Sequence, residues 1–158
     1  MTTQPYQDPD VIRRNLNLKT VAIVGLSPNE LRASNYVGRY MRYHGYQVIP
    51  VNPQVEEILG LPCFPTLSAI PQSVDIVNVF RLPEAVPEIA RDAVKVGAAC
   101  LWLQFGVISQ AGADIAIQGG LDVVMDRCIK VEHARYLGRM HWLGLNTGRI
   151  SARRDKSV

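Results

Sequence analysis

Short runs of consecutive apolar residues, rich in β-branched side chains, recur along this chain. Each run is continuous rather than alternating, which is typical of parallel strands covered on both faces. The pattern predicts five strands, over residues 20–24, 47–51, 75–80, 99–104 and 121–125.

The stretches between these runs carry helical periodicity with start and stop signals. Ser34 and Ser109 are predicted N-caps, and His44 is predicted to cap the C-terminal end of its helix. The segment 52–72 holds four prolines, so it is predicted to be mostly turn with one short helix near 55–59. Helices are predicted over residues 11–16, 35–44, 83–96 and 110–118, and from about residue 129 through 137.

Alternation of strands and helices indicates βαβ units with right-handed crossovers. The predicted class is α/β, a Rossmann-like doubly wound parallel sheet of about five strands in three αβα layers. With 158 residues the chain has the length of one domain. We expect that domain over residues 1–140 and a basic, flexible C-terminal tail over residues 141–158.

Composition is ordinary for a soluble globular protein, with 47% hydrophobic and 20% charged residues. No apolar run approaches the roughly 20 residues that span a bilayer, and the polar start does not resemble a signal peptide. Cys63, Cys100 and Cys128 form no C-x-x-C pair, which argues against a zinc site or a disulfide framework. A cytoplasmic protein without membrane contact is therefore expected.

Charge is unevenly distributed. Residues 127–158 hold eight Lys or Arg and two Asp or Glu, whereas residues 1–126 hold nine and twelve. A basic segment can contact nucleic acid. Since no aromatic residue is interleaved in 149–156, a solvated tail is favoured and a nucleic-acid partner is not expected.

In open parallel sheets, ligands bind outside the carboxyl ends of the strands. The first predicted strand is followed by Gly25-Leu26-Ser27, then by Arg32 and by Ser34 at a helix start. A glycine lets backbone approach a phosphate, and a helix start supplies N–H groups. The loop is predicted to bind phosphate, although it is not G-x-G-x-x-G and Gly25 could simply permit the turn.

Asn52 and Pro53 follow the second strand, where NAD-binding domains place an acid for the ribose. Asn52 cannot supply that carboxylate, so NAD is disfavoured and NADP less clearly so. Pro53 offers an apolar face to an adenine ring. Asn-Pro is also a common turn dipeptide.

Phe80 and Arg81 follow the third strand, and Gln104 follows the fourth. A cation beside a helix start is unfavourable for the helix dipole, so Arg81 is expected to meet an anion, either a ligand phosphate or Glu84. The neutral amide of Gln104 suits an amide-rich ligand arm.

Asp126, Arg127 and Cys128 follow the fifth strand. A structural ion pair between Asp126 and Arg127 is expected. Cys128 could be a reactive thiol, although a buried inert cysteine is more common. No spacing ties a histidine to a nucleophile, so no catalytic or metal-binding residue is predicted.

Taken in order, five strings of this sequence resemble the small stand-alone CoA-binding proteins. That family is similar to the N-terminal CoA-binding domain of the succinyl-CoA synthetase α subunit. The resemblance runs from about Lys19 to Leu137 and does not extend to the last 20 or so residues. The strings are residues 21–27, 45–53, 74–81, 101–107 and 124–129.

The resemblance implies a role for each candidate residue. Gly25, Leu26 and Ser27 would hold a diphosphate, and Arg32 matches an arginine usual in the family. Asn52 and Pro53 would flank the adenosine. The path of the diphosphate and pantetheine would be lined by Phe80, Arg81 and Gln104.

These observations predict a module that binds coenzyme A, or an acyl-CoA, as a sensor or carrier without chemistry of its own. The synthetase's phosphohistidine lies in another domain, so the resemblance does not imply ligase chemistry. Two alternatives stay open. One is an enzyme acting on the CoA thiol, with Cys128 exchanging with it, and the other is an NADP-binding redox or regulatory protein. The sequence identifies no protein partner.

Overall fold

A computed structural model describes residues 5–138 of the chain. The strands are β1 (Thr20–Val24), β2 (Gln47–Val51), β3 (Glu57–Ile58), β4 (Leu61–Pro62), β5 (Ile76–Val79), β6 (Cys100–Leu103) and β7 (Asp122–Val124). The helices are α1 (Pro9–Leu16), α2 (Ala33–Tyr43), α3 (Val86–Lys95), α4 (Gln110–Gln118) and α5 (Ile129–Tyr136). Single 3₁₀ turns lie at Leu67–Ala69 and Pro83–Ala85.

Five parallel strands form the central sheet in the order β2-β1-β5-β6-β7. Val24 of β1 is in register with Val51 of β2 and with Val79 of β5, so these three strands end level with one another. The chain steps from β1 outward to β2 and then crosses back to β5. The strand order therefore reverses between β1 and β5, which confirms the predicted doubly wound α/β fold and marks the usual ligand position.

Alternate residues of each strand face opposite layers of helices. Ile23 packs in the cluster that holds Ile12 of α1, Met41 of α2 and Ile129 of α5. Val24 packs in the other cluster, with residues of α3 and α4. Because both faces of the sheet are covered, most positions of its strands are apolar. The polar residues in the strands are Thr20, Gln47, Asn78 and Asp122.

Three helix starts differ from the sequence prediction. α1 begins two residues earlier, and α3 begins three residues later, after the 3₁₀ turn at Pro83–Ala85. α2 begins at Ala33, and Arg32 occupies the N-cap position without a side-chain hydrogen bond. The hydroxyl of Ser34 instead accepts a hydrogen bond from the Ser27 N–H at 3.0 Å, so Ser34 is not the N-cap. Ser109 does cap α4, where it accepts from the Gly112 N–H, and His44 is the C-cap of α2.

The predicted short helix near 55–59 is wrong. Its place is taken by a two-stranded antiparallel hairpin, β3 with β4. Leu59 and Gly60 form the turn with φ of 58° and 72°. Two successive positive φ angles are what a type I′ hairpin turn requires, and they exclude a right-handed helix.

Two residues that precede α1, Tyr6 and Gln7, form hydrogen bonds beside the edge strand β7. The Met125 N–H donates to the Tyr6 carbonyl at 3.1 Å, and the Gln7 amide donates to the Met125 carbonyl at 3.1 Å. Arg14 and Asn15 of α1 bond the carboxylate of Asp122 in β7. The N-terminal segment is thus fixed beside the end of the edge strand.

The predicted basic tail, residues 141–158, lies outside the described residues, as do residues 139 and 140. Across the part of the chain that is described, no helix has the length and apolar character needed to cross a membrane.

Candidate functional site

A cavity of about 920 Å³ opens at the carboxyl edge of the sheet. It lies between the start of α2, the loops after β5, β6 and β7, and helix α5. Its volume is in the range of small-molecule and cofactor sites. The described lining residues are Ala33, Phe80, Arg81, Leu82, Gln104, Phe105, Val107, Arg127, Cys128, Val131, Glu132 and Arg135.

Gly25 stands where β1 leaves the sheet at the strand-order reversal. Its φ is 91°, which disfavours any residue with a Cβ, and a Cβ built there would lie 2.5 Å from the Phe80 carbonyl oxygen. The glycine is therefore needed to bring the β1 loop against the β5 loop. Its N–H donates to the Val51 carbonyl at 2.9 Å.

Three side chains hold the loop that follows Gly25. Ser34 accepts from the Ser27 N–H, and the amide of Asn35 donates to the Ser27 carbonyl at 2.9 Å. The amide of Asn52 donates to the Leu26 carbonyl at 3.1 Å. Leu26 is fully buried, backbone included. The Ser27 hydroxyl is left as a donor for a phosphate, although neither Leu26 nor Ser27 is among the described residues that line the cavity.

Sequence reasoning grouped Arg32 and Pro53 with this loop. Both are exposed, and neither contributes to the lining of the cavity. Ala33, the first residue of α2, does line it. The helix start, with its unpaired backbone N–H groups, therefore reaches the cavity where the side chain of Arg32 does not.

The loop after β5 places Phe80 and Arg81 in the cavity wall, as the sequence predicted. The Phe80 N–H donates to the Val24 carbonyl at 2.9 Å, which extends the β1–β5 pairing past the end of β5. The side chain of Arg81 is exposed and makes no ion pair with Glu84 or any other carboxylate within residues 5–138.

Gln104 joins the end of β6 to the start of α5. The side-chain oxygen Oε1 of Gln104 accepts hydrogen bonds from the Asn78 side-chain amide and from the Ile129 N–H, both at 3.3 Å. No hydrogen bond among the described residues uses its amide nitrogen, which is left for a ligand acceptor in the cavity. Gln104 therefore has both a structural and a potential binding role.

The expected ion pair between Asp126 and Arg127 is absent from the described contacts. The Asp126 carboxylate accepts from the Gly106 N–H at 2.7 Å. Arg127 donates to the Gln7 side-chain oxygen at 2.7 Å, and its Nε lies 3.8 Å from the carboxylate of Glu132. Asp126 has φ of 58°, which turns the two neighbouring side chains in different directions.

Glu132 and Arg135 form a buried pair one turn along α5, with Arg135 Nη1 at 3.2 Å from Glu132 Oε2. Glu132 is 1% exposed and Arg135 4%. Burial raises the pKa of Glu132, and the two neighbouring guanidinium groups oppose that rise. Both side chains line the cavity, although the sequence prediction did not include them. No local sequence pattern indicated them, because their approach to the cavity depends on how α5 is rotated about its axis.

Cys128 is the N-cap of α5, half-buried and in the wall of the cavity. Cys63 and Cys100 lie elsewhere, and all three are free thiols. Burial raises the pKa of Cys100 far above its usual range, so that thiol is inert at neutral pH.

Behind α5, His133 joins this helix to α2. Its Nδ1 lies 2.8 Å from the Tyr40 hydroxyl, and its ring contacts that of His44 with centroids 4.9 Å apart. Burial, and secondarily His44, lower the pKa of His133 to about 4. The ring is neutral at pH 7 and holds the helix that carries part of the cavity wall.

A family model described as "CoA binding domain" matches residues 19–134. The uncharacterized protein YneT of Bacillus subtilis is 40% identical over 116 residues, which cover 73% of this chain and 86% of YneT. A solved structure, a hypothetical protein from Pyrococcus horikoshii, superposes with a TM-score of 0.83 at 37% identity and covers 87% of this chain and 99% of that one.

A longer relative is an ADP-forming acetate–CoA ligase of Archaeoglobus fulgidus. It is 33% identical over 122 residues. The match covers 70% of this chain but only 18% of the ligase.

Proposed function

This chain belongs to the CoA binding domain family, and on that premise we propose that it binds coenzyme A or an acyl-CoA in the cavity at the carboxyl edge of the sheet. Membership supports a CoA-related binding function. The finer proposal is a sensor or carrier module that holds the ligand without changing it.

One observation carries this proposal. The cavity begins at the start of α2 and at Arg81, beside the strand-order reversal, and continues past Gln104 to α5. Coenzyme A has the matching shape and chemistry, since an anionic diphosphate is joined to a long arm with two amides. Phosphates favour helix starts and arginine, and the arm's amides need a few placed polar partners in an apolar channel.

We assign the diphosphate to Arg81, the start of α2 and the hydroxyl of Ser27. The amide nitrogen of Gln104 and the exposed ring of Phe105 are assigned to the pantetheine arm. Gly25 contributes to the site by allowing the loop after β1 to approach the loop after β5 closely.

Asn52 supports CoA over NAD in this proposal. Its amide donates to the Leu26 carbonyl, and its oxygen accepts from the Gln54 N–H at 2.8 Å. A carboxylate at this position could not donate the first bond. The bond that holds the loop after Gly25 therefore requires an amide at position 52. NAD-binding domains place at this position the acid that binds the ribose.

A thermal shift series tests the proposal, with the full chain and four ligands, CoA, acetyl-CoA, NAD and NADP. A ligand present at 100 times its dissociation constant adds about 2.7 kcal/mol of stability, which shifts a domain of this size by several degrees. We expect the shift with CoA and acetyl-CoA and not with NAD. Equal stabilisation by NAD, or no stabilisation by CoA, would overturn the proposal.

A further inference from the structure

Basic side chains outnumber acidic ones in the wall of the cavity. Arg81, Arg127 and Arg135 line it, and Glu132 is the one carboxylate among the described lining residues. Arg81 is assigned above to the diphosphate. The other two guanidinium groups lie on and beside α5, around Glu132.

A single carboxylate cannot neutralise both of these guanidinium groups. With Glu132 ionised, the cluster of Arg127, Glu132 and Arg135 carries one net positive charge. With Glu132 protonated, it carries two. Either way a positive charge is held beside a cavity wall, and a buried charge without a counter-ion is costly.

The hydrogen bonds of the cluster are also incomplete. Arg135 is 4% exposed, and its Nε is buried with no hydrogen-bond partner in residues 5–138. The hydrogen-bond partners of Arg127, the Gln7 side-chain oxygen and the Asp126 main-chain oxygen, are both neutral. Its carboxylate neighbour, Glu132 at 3.8 Å, is shared with Arg135.

Arg81, Gln104 and Arg127 follow β5, β6 and β7, which lie side by side in that order. The cluster therefore lies across Gln104 from Arg81, and Arg127 is next to Cys128 in the chain. If the diphosphate lies at Arg81 and the arm passes Gln104, the thiol end of the ligand arrives here. This step rests on the proposed function.

We propose that Arg127 and Arg135 form a second anion subsite, which takes a small oxyanion, a carboxylate or a phosphate, beside the thiol end of bound CoA. The oxyanion can be the terminal carboxylate of an acyl group carried on CoA, or a free ion bound together with CoA. Glu132 is a positioning residue in this subsite, because it holds the Arg135 guanidinium against α5.

Calorimetric titration separates the two sources. In the first arm the full chain is titrated with CoA, with butyryl-CoA, and with malonyl-, succinyl- and glutaryl-CoA, whose acyl groups end in a carboxylate at three distances. In the second arm the protein saturated with CoA is titrated with inorganic phosphate. We expect one carboxylated acyl-CoA to bind at least tenfold more tightly than butyryl-CoA, or phosphate to bind saturably.

Arg127→Gln is the test variant, because the side chain is 35% exposed and its removal leaves the Glu132–Arg135 pair in place. Arg91→Gln, on the exposed face of α3, is the matched control for lost charge. We expect Arg127→Gln to reduce the preference for the carboxylated acyl-CoA over butyryl-CoA, or the affinity for phosphate, at least fivefold. Arg91→Gln should leave both unchanged.

The outcomes also separate this inference from the proposed function. Failure of CoA itself to bind overturns the proposed function. Normal CoA binding by the wild-type protein, with no carboxylate preference and no phosphate binding, overturns the subsite alone. An anion preference that Arg127→Gln and Arg91→Gln weaken equally also overturns it, because the effect would then be one of net charge. The wild-type titrations decide the question even if Arg127→Gln fails to fold.

Discussion

At the scale of single residues, the candidate site depends on the close approach of two loops at Gly25 as well as on the side chains that could bind a ligand. Gly25 and Gly45 have almost the same backbone angle, with φ of 91° and 92°. A Cβ at Gly45 would meet nothing within 4 Å, whereas one at Gly25 would lie 2.5 Å from the Phe80 carbonyl oxygen. Comparing substitutions at Gly25 and Gly45 therefore separates the free-energy cost of positive φ from that of a steric collision.

We therefore expect Gly25→Ala to destabilise the domain more than Gly45→Ala does. A residue with a Cβ at positive φ costs about 1 kcal/mol or more, and the collision adds to that at Gly25. CoA affinity should fall in Gly25→Ala only, because the β1 and β5 loops must separate. Urea denaturation and calorimetry of both variants measure the two effects. Equal stability losses with equal CoA affinities would show that the close approach is not needed.

Arg81 is expected to act on the ligand rather than on the fold. Since it is exposed and without an ion pair among the described residues, Arg81→Ala should change the free energy of unfolding by no more than about 0.5 kcal/mol. A charge-assisted bond to phosphate is typically worth about 1.5–3 kcal/mol, so CoA affinity should fall by roughly 10- to 150-fold. Calorimetric titration with CoA checks this, with Arg91→Ala as control. A stability loss with intact affinity would remove Arg81 from the site.

At the scale of elements, α5 is fixed to α2 through a histidine that must stay neutral. The folded-state pKa of His133 is lowered to about 4, against an ordinary value of 6.5. The unfolded chain therefore binds a proton first. Stability contributed by the neutral ring is complete above about pH 6.5 and is lost as the pH falls from there towards 4.

Between pH 7 and pH 5 we expect the wild-type protein to lose about 1–2 kcal/mol of unfolding free energy from this group. His133→Gln, whose amide can still bond the Tyr40 hydroxyl, should show a shallower pH dependence. Urea denaturation at pH 7, 6 and 5 measures both slopes, in a range where carboxylates titrate little. Identical slopes in the two proteins would place the acid sensitivity elsewhere.

The elements were largely predictable from the sequence, for identifiable reasons. The bounds of β1, β2 and α4 agree with the prediction, because continuous apolar runs and the Ser109 cap are local signals. The β3–β4 hairpin was missed because a non-glycine residue, Leu59, adopts positive φ in its turn. The start of α2 was misplaced because the hydroxyl of Ser34 bonds Ser27 instead of capping the helix.

The candidate site was less predictable than the fold. Phe80, Arg81 and Gln104 line the cavity because they follow strands, and parallel strands bring their ends together. Their role in binding stays a prediction. Arg32 and Pro53 also follow strands, but they face solvent. Glu132 and Arg135 were missed because their approach to the cavity depends on the rotation of α5, which no local pattern specifies.

At the scale of the whole molecule, every described residue that lines the cavity lies between Ala33 and Arg135. The family match ends at residue 134. We propose accordingly that residues 1–140 form the binding domain.

We expect removal of residues 141–158 to leave CoA affinity within about twofold, since no described contact to the ligand site is lost. Calorimetry of the shortened and full chains tests this, with the melting temperature of each measured as a check of folding. A large loss of affinity in a shortened protein that melts normally would assign part of the site to the C-terminal segment.

The contacts that Gln7 makes beside the end of β7 have a consequence for the order in which the domain folds. Gln7 bonds Met125 and Arg127, residues 118 and 120 positions later in the chain. During synthesis Gln7 therefore has no place to bind until the chain about 120 residues further on has been made. Because Gln7 is also what orients the Arg127 guanidinium, the wall of the cavity takes its final form only in a chain that has finished folding.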